Sequence, residues 1–286
     1  MKNKNRMIIF ILIGVFCVLA IIAAIYAQFI ATDYDDIGDE PTINVGSNNN
    51  NTGAEREKNQ DEIKTQFNNL FNNTVNTGDY DLSTVDKLYD DRDIVYSAYT
   101  INESNDNYEI NVNLPVVNIA GDVVSEFNGI TQELFADKAA EVMNSVNAYK
   151  TIYNVDYAVF INNGILSVAI KSLLKEGNNP QRTIVQTYNY DLQTGQRVEI
   201  GRILSNLGLT TDEVQNKIRE IVNEAAEAAN ILEQSGYSVF KRNLEDSMYN
   251  MNNLTTYMLG PSNELYIIFA YGNRNFTSEM DIVLYE

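Results

Sequence analysis

Two long alternating segments in the middle of the chain leave little choice for the fold around them. The segments, YKTIYNVDYAVFI and ILSVAIKSLL, place apolar and polar residues in turn, which is the period of a β-strand with one buried face. Asn162-Asn163-Gly164 joins them, and Asn-Gly between alternating segments is a strong hairpin signal. The sequence therefore predicts a long antiparallel hairpin at the centre of the fold.

Further strand and helix patterns lie on both sides of this hairpin. Strands are predicted over 94–101, 108–117, 182–192, 255–260, 264–271 and 281–286, and helices over 63–71, 125–146 and 210–232. Thr210 or Thr211 can cap the last helix, and Asp212 and Glu213 favour its positive end. Strands in succession with inserted helices are typical of an α+β fold. We predict mainly antiparallel sheets with helices packed on one face.

The N-terminal segment predicts an anchor. Residues 7–30 contain no charged side chain, and at ~1.5 Å per residue they would span roughly 36 Å, enough to cross a bilayer core of about 30 Å. Lys2, Lys4 and Arg6 precede this segment and acidic residues follow it, so residues 1–6 are predicted to be a cytoplasmic stub and the remainder extracellular. A cleaved signal peptide is the alternative, but this apolar segment is longer than that of most signal peptides.

Residues 31–61 are predicted to be an acidic, Asn-rich linker, because they lack the apolar periodicity that would bury a core. The cluster Asp33, Asp35, Asp36, Asp39 and Glu40 contains possible calcium ligands. Its spacing does not match that of a calcium loop, so a solvated run of charges is the preferred interpretation.

Composition restricts the chemistry and the partners. The net charge is −19, and residues 31–286 carry 17 basic against 39 acidic residues, a net of −22. Such a surface repels nucleic acid and attracts basic partners. The chain has no His, and its single cysteine, Cys17, lies inside the apolar segment. Mechanisms that need imidazole or a thiolate are therefore excluded, and we assign no catalytic residue, metal or cofactor.

A short motif connects the chain to a known family. In YNYDLQTG the motif residues are Tyr188, Asn189, Asp191, Leu192, Thr194 and Gly195, and a second motif, T-x-Y-x-L-x-x-x-x-E-L-Y-I-I-F, covers 255–269. Residues 88–286 resemble the extracytoplasmic region of RsiV-type anti-sigma factors and the paired non-catalytic domains of PdaC-type peptidoglycan deacetylases. The resemblance implies a first α+β subdomain over 62–180, PdaC/RsiV-like, and a second over 181–286, like the C-terminal part of RsiV.

This resemblance implies binding or sensing at the bacterial cell envelope. The expected partner is a basic protein such as lysozyme, or a peptidoglycan component, recognised by a single-pass membrane protein whose folded region is extracellular. Sigma-factor binding is not expected, because only six residues precede the membrane segment. The deacetylase domain is absent from the sequence, so the protein is predicted not to be an enzyme.

Two other functions are compatible with the sequence. A glycosidase needs only two carboxylates at a set separation, and Asp90, Asp91 and Asp93 in YDDRDIV are among the candidates for acting on peptidoglycan. These residues are more simply interpreted as the polar approach to a strand, with Arg92 offsetting their charge. A purely structural envelope scaffold with partners inside the membrane is the other alternative.

The candidate recognition surface is the segment YGNRNF after the last long strand. Its residues Tyr271, Asn273, Arg274 and Phe276 mix aromatic, amide and cationic groups. In members of the resembled family the corresponding loop is often rich in Pro, whereas this segment contains none. An ordinary solvated connection is the alternative interpretation.

Overall fold

A computed structural model describes residues 58–145, 149–273 and 276–286, without the side chains of residues 272, 273 and 276. The predicted membrane segment 7–30 and most of the predicted linker lie outside these residues. Within the described part of the chain, none of the helices has the length and apolar character needed to cross a membrane.

The described residues form four α-helices and nine strands. The helices are α1 (Gln60–Asn68), α2 (Asp122–Asn144), α3 (Ile200–Leu207) and α4 (Thr211–Gln234). The strands are β1 (Val75–Asn76), β2 (Val95–Ser104), β3 (Tyr108–Val117), β4 (Thr151–Asn162), β5 (Ile165–Glu176), β6 (Arg182–Asp191), β7 (Tyr257–Leu259), β8 (Leu265–Asn273) and β9 (Phe276–Tyr285). The α+β prediction is confirmed.

Two helix starts follow directly from the sequence. Asn59 and Glu62 form a capping box, which begins α1 inside the predicted linker, and Thr210 and Glu213 form another at the start of α4. Each box satisfies backbone N–H groups that have no partner within the helix.

The larger sheet has six strands in the order β2-β3-β4-β5-β6, with the short β1 beside β4. The central hairpin is confirmed: β4 and β5 pair from Thr151↔Glu176 to Asn162↔Ile165, and Asn163 and Gly164 turn with φ of 49° and 77°. However, β3 pairs with β4 in parallel, as does β1, so this sheet is mixed rather than antiparallel throughout. The cause is α2, which connects β3 to β4 as a crossover and returns the chain to the same end of the sheet.

The layers follow from which face of each strand is apolar. Helix α2 packs through Phe127 and Phe135 on one face of the larger sheet. The other face contacts the three-stranded sheet β7-β8-β9 and α1, around Phe67, Phe160 and Tyr266. Helix α4 then covers the far face of the three-stranded sheet. The helices therefore lie on the two outer surfaces and at the junction of the sheets, not on one face.

The predicted subdomain division after residue 180 falls between two paired strands. Strand β6 begins at Arg182 and pairs antiparallel with β5 from Leu174↔Arg182 to Ile165↔Asp191. The strand in which the YNYDLQTG motif begins therefore belongs to the larger sheet.

Candidate functional site

The motif that ends β6 connects the two sheets. Asn189 is buried; its Oδ1 accepts from Ser167 Oγ at 2.6 Å and its Nδ2 donates to the carbonyl of Tyr257 at 2.9 Å. Tyr188 and Tyr190 pack against Phe127 with ring centroids 4.1 and 5.8 Å away. Both interactions are those of a scaffold.

Asp191 organises the turn after β6. Its Oδ1 accepts from the backbone amides of Gln193 and Thr194 at 2.9 and 3.0 Å, and its Oδ2 lies 2.6 Å from the Arg202 guanidinium. Burial alone would raise the pKa of this carboxyl, but the Arg202 bond and the two amides hold it below its usual value. A cavity of about 140 Å³ beside it is lined by Tyr80, Asn163, Gly164, Asp191, Gln193 and Arg202.

Leu192 and Gly195 complete the motif by close packing. Leu192 is buried in the core under α2, and Gly195 takes a φ of 63°. A Cβ at Gly195 would stand 2.7 Å from the Ala120 carbonyl oxygen, so the turn and the start of α2 meet at a distance that only glycine permits. Thr194 supplies its backbone amide to Asp191. After the turn the chain pairs back through a single bridge, Tyr190↔Arg197, before α3 begins at Ile200.

The predicted recognition segment YGNRNF lies mostly in strands and not in a surface loop. Strands β8 and β9 extend to Asn273 and Phe276, so most of YGNRNF belongs to a hairpin. Tyr271 is 4% exposed, because it continues the inward-facing series Leu265, Ile267 and Phe269 of β8. It is therefore not available as a surface contact, which corrects that part of the prediction. Arg274 and the side chains of Asn273 and Phe276 lie outside the described residues.

Tyr271 instead belongs to a buried polar network. Its hydroxyl donates to Asp281 Oδ2 and accepts from the Tyr249 hydroxyl, each at 2.9 Å. Arg242 donates from Nε and Nη2 to the two oxygens of Asp281 at 3.0 Å, and it also lies 2.7 Å from Glu279. Burial and the Asp281 carboxylate raise the pKa of Tyr271. The network fixes the segment after α4 to β8 and β9, and its carboxylates are already paired.

A second candidate is the exposed segment Asp86–Asp93, which we call the acidic loop. It carries the exposed carboxylates Asp86, Asp90, Asp91 and Asp93. Among them stand two large apolar side chains, Leu88 at 43% exposure and Tyr89 at 57%. Exposed apolar groups surrounded by charge are typical of surfaces that bind other proteins.

A buried amide fixes the shape of the acidic loop. Asn118 is 0% exposed; its Oδ1 accepts from the Tyr89 amide at 2.9 Å, and its Nδ2 donates to the carbonyls of Tyr89 and Asp93 at 2.8 and 3.1 Å. The Ala120 amide donates to the Asp86 carbonyl at 2.8 Å. Both ends of the loop are therefore tied to the segment that follows β3.

Sequence reasoning missed the importance of Leu88, Tyr89 and Asn118. The string LYDDRD does show apolar side chains directly before a run of carboxylates, which is a usable signal. By contrast, nothing in VNLPVVN distinguishes Asn118 from the other amides of an Asn-rich chain. Its role depends on a contact across 29 residues.

Comparison with known proteins gives structural similarity only. No protein-family model matches the chain, and no curated protein matches its sequence. A solved DUF3298 family protein from Pseudomonas aeruginosa PAO1 is similar at 12% identity and a TM-score of 0.37, covering 63% of this chain and 82% of its own. A DUF3298 family member from Bacteroides fragilis NCTC 9343 is similar at 14% identity and a TM-score of 0.34, covering 66% and 89%.

Proposed function

We propose that this chain is a membrane-anchored extracytoplasmic protein that binds a basic protein of the cell envelope, such as lysozyme, with the acidic loop as the main contact. Its charge supports the proposal. Residues 58–286 contain 16 basic and 32 acidic residues, a net of −16. Complementary charge of this size mainly raises the rate of encounter with a cationic partner.

The observation that carries the proposal is the combination of charge, apolar contact area and fixed shape in the acidic loop. Leu88 and Tyr89 supply area that can be buried on binding, and Tyr is enriched among residues that dominate binding energy. Because Asn118 holds the backbone, little conformational entropy is lost when a partner docks.

An equilibrium titration tests this proposal. Lysozyme is titrated into the purified chain at low and at moderate salt, with the wild type and with the triple variant Asp90→Asn, Asp91→Asn, Asp93→Asn. We expect the variant to bind about tenfold more weakly at low salt, since three rim charges at about 0.5 kcal/mol each amount to roughly 1.4 kcal/mol. Unchanged melting temperatures would show that the substitutions leave the fold intact.

The matched control removes three charges elsewhere. Glu224→Gln, Glu227→Gln and Glu245→Gln neutralise exposed carboxylates on and near α4. This control is expected to weaken binding by less than about threefold, through the general field alone. Equal losses in the two triple variants, or no binding by the wild type at low salt, would refute the proposal. A parallel titration with soluble peptidoglycan fragments separates a glycan ligand from a protein ligand.

A further inference from the structure

Several strand edges in the described residues carry contacts that hinder the addition of a further strand. At β9, the Gln60 side chain imitates a neighbouring strand: its amide nitrogen donates to the Ile282 carbonyl at 2.9 Å, and its oxygen accepts from the Ile282 amide at 3.2 Å. Near the start of β9, the Ser278 amide donates to the Gln181 carbonyl at 2.8 Å. These contacts stop a further strand from adding to β9.

Side chains of β6 bond the backbone of the short edge strand β7. The Tyr257 amide donates to Thr187 Oγ1 at 2.8 Å, and the Tyr257 carbonyl accepts from Asn189 at 2.9 Å. The chain that returns after the β6 turn adds a bond from the Val198 amide to the Asn189 carbonyl at 2.7 Å.

Strand β2 is different. One side pairs with β3, and on the other side no backbone bond or strand reaches residues 95–104 from the described part of the chain. The strand contains neither Pro nor a basic residue, and these are the residues that commonly prevent another strand from pairing with an edge strand. A bulge at Ala98 interrupts its first half, but Tyr99 to Ser104 run in regular register. Lys150 reaches only the end of the strand, at Ser104 Oγ.

The charge of this edge is unusual for the molecule. Among the ten residues of β2 only Glu103 is charged, although the chain has a net charge of −19. Two copies of so acidic a protein repel one another over most of their surface. A weakly charged strand rich in Val, Tyr, Thr and Ile is where they can approach with the least repulsion.

We propose that β2 is the contact between two copies of this chain, which pair antiparallel through Tyr99 to Ser104 and join their larger sheets edge to edge. A two-fold axis places one residue opposite its own copy. With the axis at Ile101, Thr100 faces the partner's Asn102 and Tyr99 faces the partner's Glu103. With the axis at Asn102, Ile101 faces the partner's Glu103. In neither arrangement does Glu103 face its own copy, so no like charges are opposed.

Sedimentation equilibrium of the full-length chain in a mild detergent tests the contact. The variant Thr100→Glu, Asn102→Glu changes two exposed side chains and opposes carboxylates across the axis. We expect its dimer to dissociate roughly tenfold more readily than the wild type. The control variant Ala228→Glu, Asn230→Glu adds the same charge on the exposed side of α4 and should change dissociation less than about twofold.

Residue-specific cross-linking supplies a second measurement that does not depend on the charged variants. In a Cys17→Ser background, Asn102→Cys should give a covalent dimer with a short bis-maleimide, whereas Glu227→Cys should not. A wild type that stays monomeric at high micromolar concentration overturns the proposal. So does a dimer that the β2 variant leaves unchanged, or equal cross-linking from both positions. Lysozyme binding should differ by less than about threefold between the β2 variant and the wild type, through the general field alone, so failure here is distinguishable from failure of the proposed function.

Discussion

Gly195 shows how one residue fixes the approach of two segments. Its φ of 63° and the 2.7 Å from a hypothetical Cβ to the Ala120 carbonyl both exclude a side chain. We expect Gly195→Ala to lower the free energy of unfolding by about 1–3 kcal/mol in urea denaturation. The control is Gly201→Ala in α3, where nothing lies within 4 Å of the new Cβ and helix propensity should raise stability by up to about 1 kcal/mol. The same sign of change in both variants would contradict this account.

Tyr271 is expected to act on stability rather than on recognition. Tyr271→Phe removes a donor to Asp281 and leaves the buried Tyr249 hydroxyl without its acceptor. The loss should be about 1–3 kcal/mol in the free energy of unfolding. Tyr237→Phe, at an exposed tyrosine of the same region, should change it by less than about 0.5 kcal/mol. A Tyr271→Phe variant as stable as the wild type would show that the network contributes nothing.

The roles of individual side chains are the features that the sequence predicts least well. The sequence places Tyr271 both at the end of the predicted strand 264–271 and in the candidate recognition segment, and only the structure shows that the apolar alternation of β8 continues through it and buries it. Asn118 gave no local signal, because its partners lie in a distant segment. The conformational role of Gly195, by contrast, was readable from its position in the turn.

At the scale of elements, α1 joins the two sheets. Phe67 is fully buried and packs with Phe160 of the larger sheet and Tyr266 of the smaller one. Phe67→Ala should therefore lower the free energy of unfolding by about 3–5 kcal/mol. Phe71→Ala, at the half-buried end of the same segment, should lower the free energy of unfolding by less than half as much as Phe67→Ala. Chemical denaturation of both variants measures the difference, and similar small losses would mean that α1 is only loosely attached.

The elements themselves were largely predictable. The β4–β5 hairpin follows from alternation and an Asn-Gly turn, and α4 follows from its apolar stripe and capping box. The parallel pairing of β3 with β4 could not be predicted, because alternation defines a strand's buried face but not its neighbour. The pairing of β6 with β5 could not be predicted for the same reason.

At the scale of the whole molecule, the lack of His and the buried tyrosines predict the pH profile of stability. With no imidazole to titrate, the free energy of unfolding should vary little between about pH 5 and 9. Burial raises the pKa of Tyr153, Tyr190 and Tyr271, and that of Tyr266 to about 12. Their stabilisation is complete below the unfolded pKa of about 10 and is lost as pH rises towards the folded values.

At acid pH the free energy of unfolding changes in the opposite direction, falling as pH falls. The pKa of Asp191 is lowered in the folded state, so its contribution is present above about pH 4 and is lost as pH falls through the folded value. Urea denaturation from pH 3 to 11 should show a plateau with a decline at each end. A transition near pH 6.5 would contradict this explanation.

If the acidic loop captures a basic protein, as proposed, the association rate should depend on the carboxylates of that loop. Stopped-flow binding of lysozyme to the full-length chain should show a rate constant that falls steeply between low and physiological salt. In the Asp90→Asn, Asp91→Asn, Asp93→Asn variant we expect a shallower salt dependence and a slower association at low salt, by roughly tenfold. The salt dependence and the association rate at low salt should both stay close to wild type in the control variant Glu224→Gln, Glu227→Gln, Glu245→Gln. An identical salt dependence in the two variants would contradict the account.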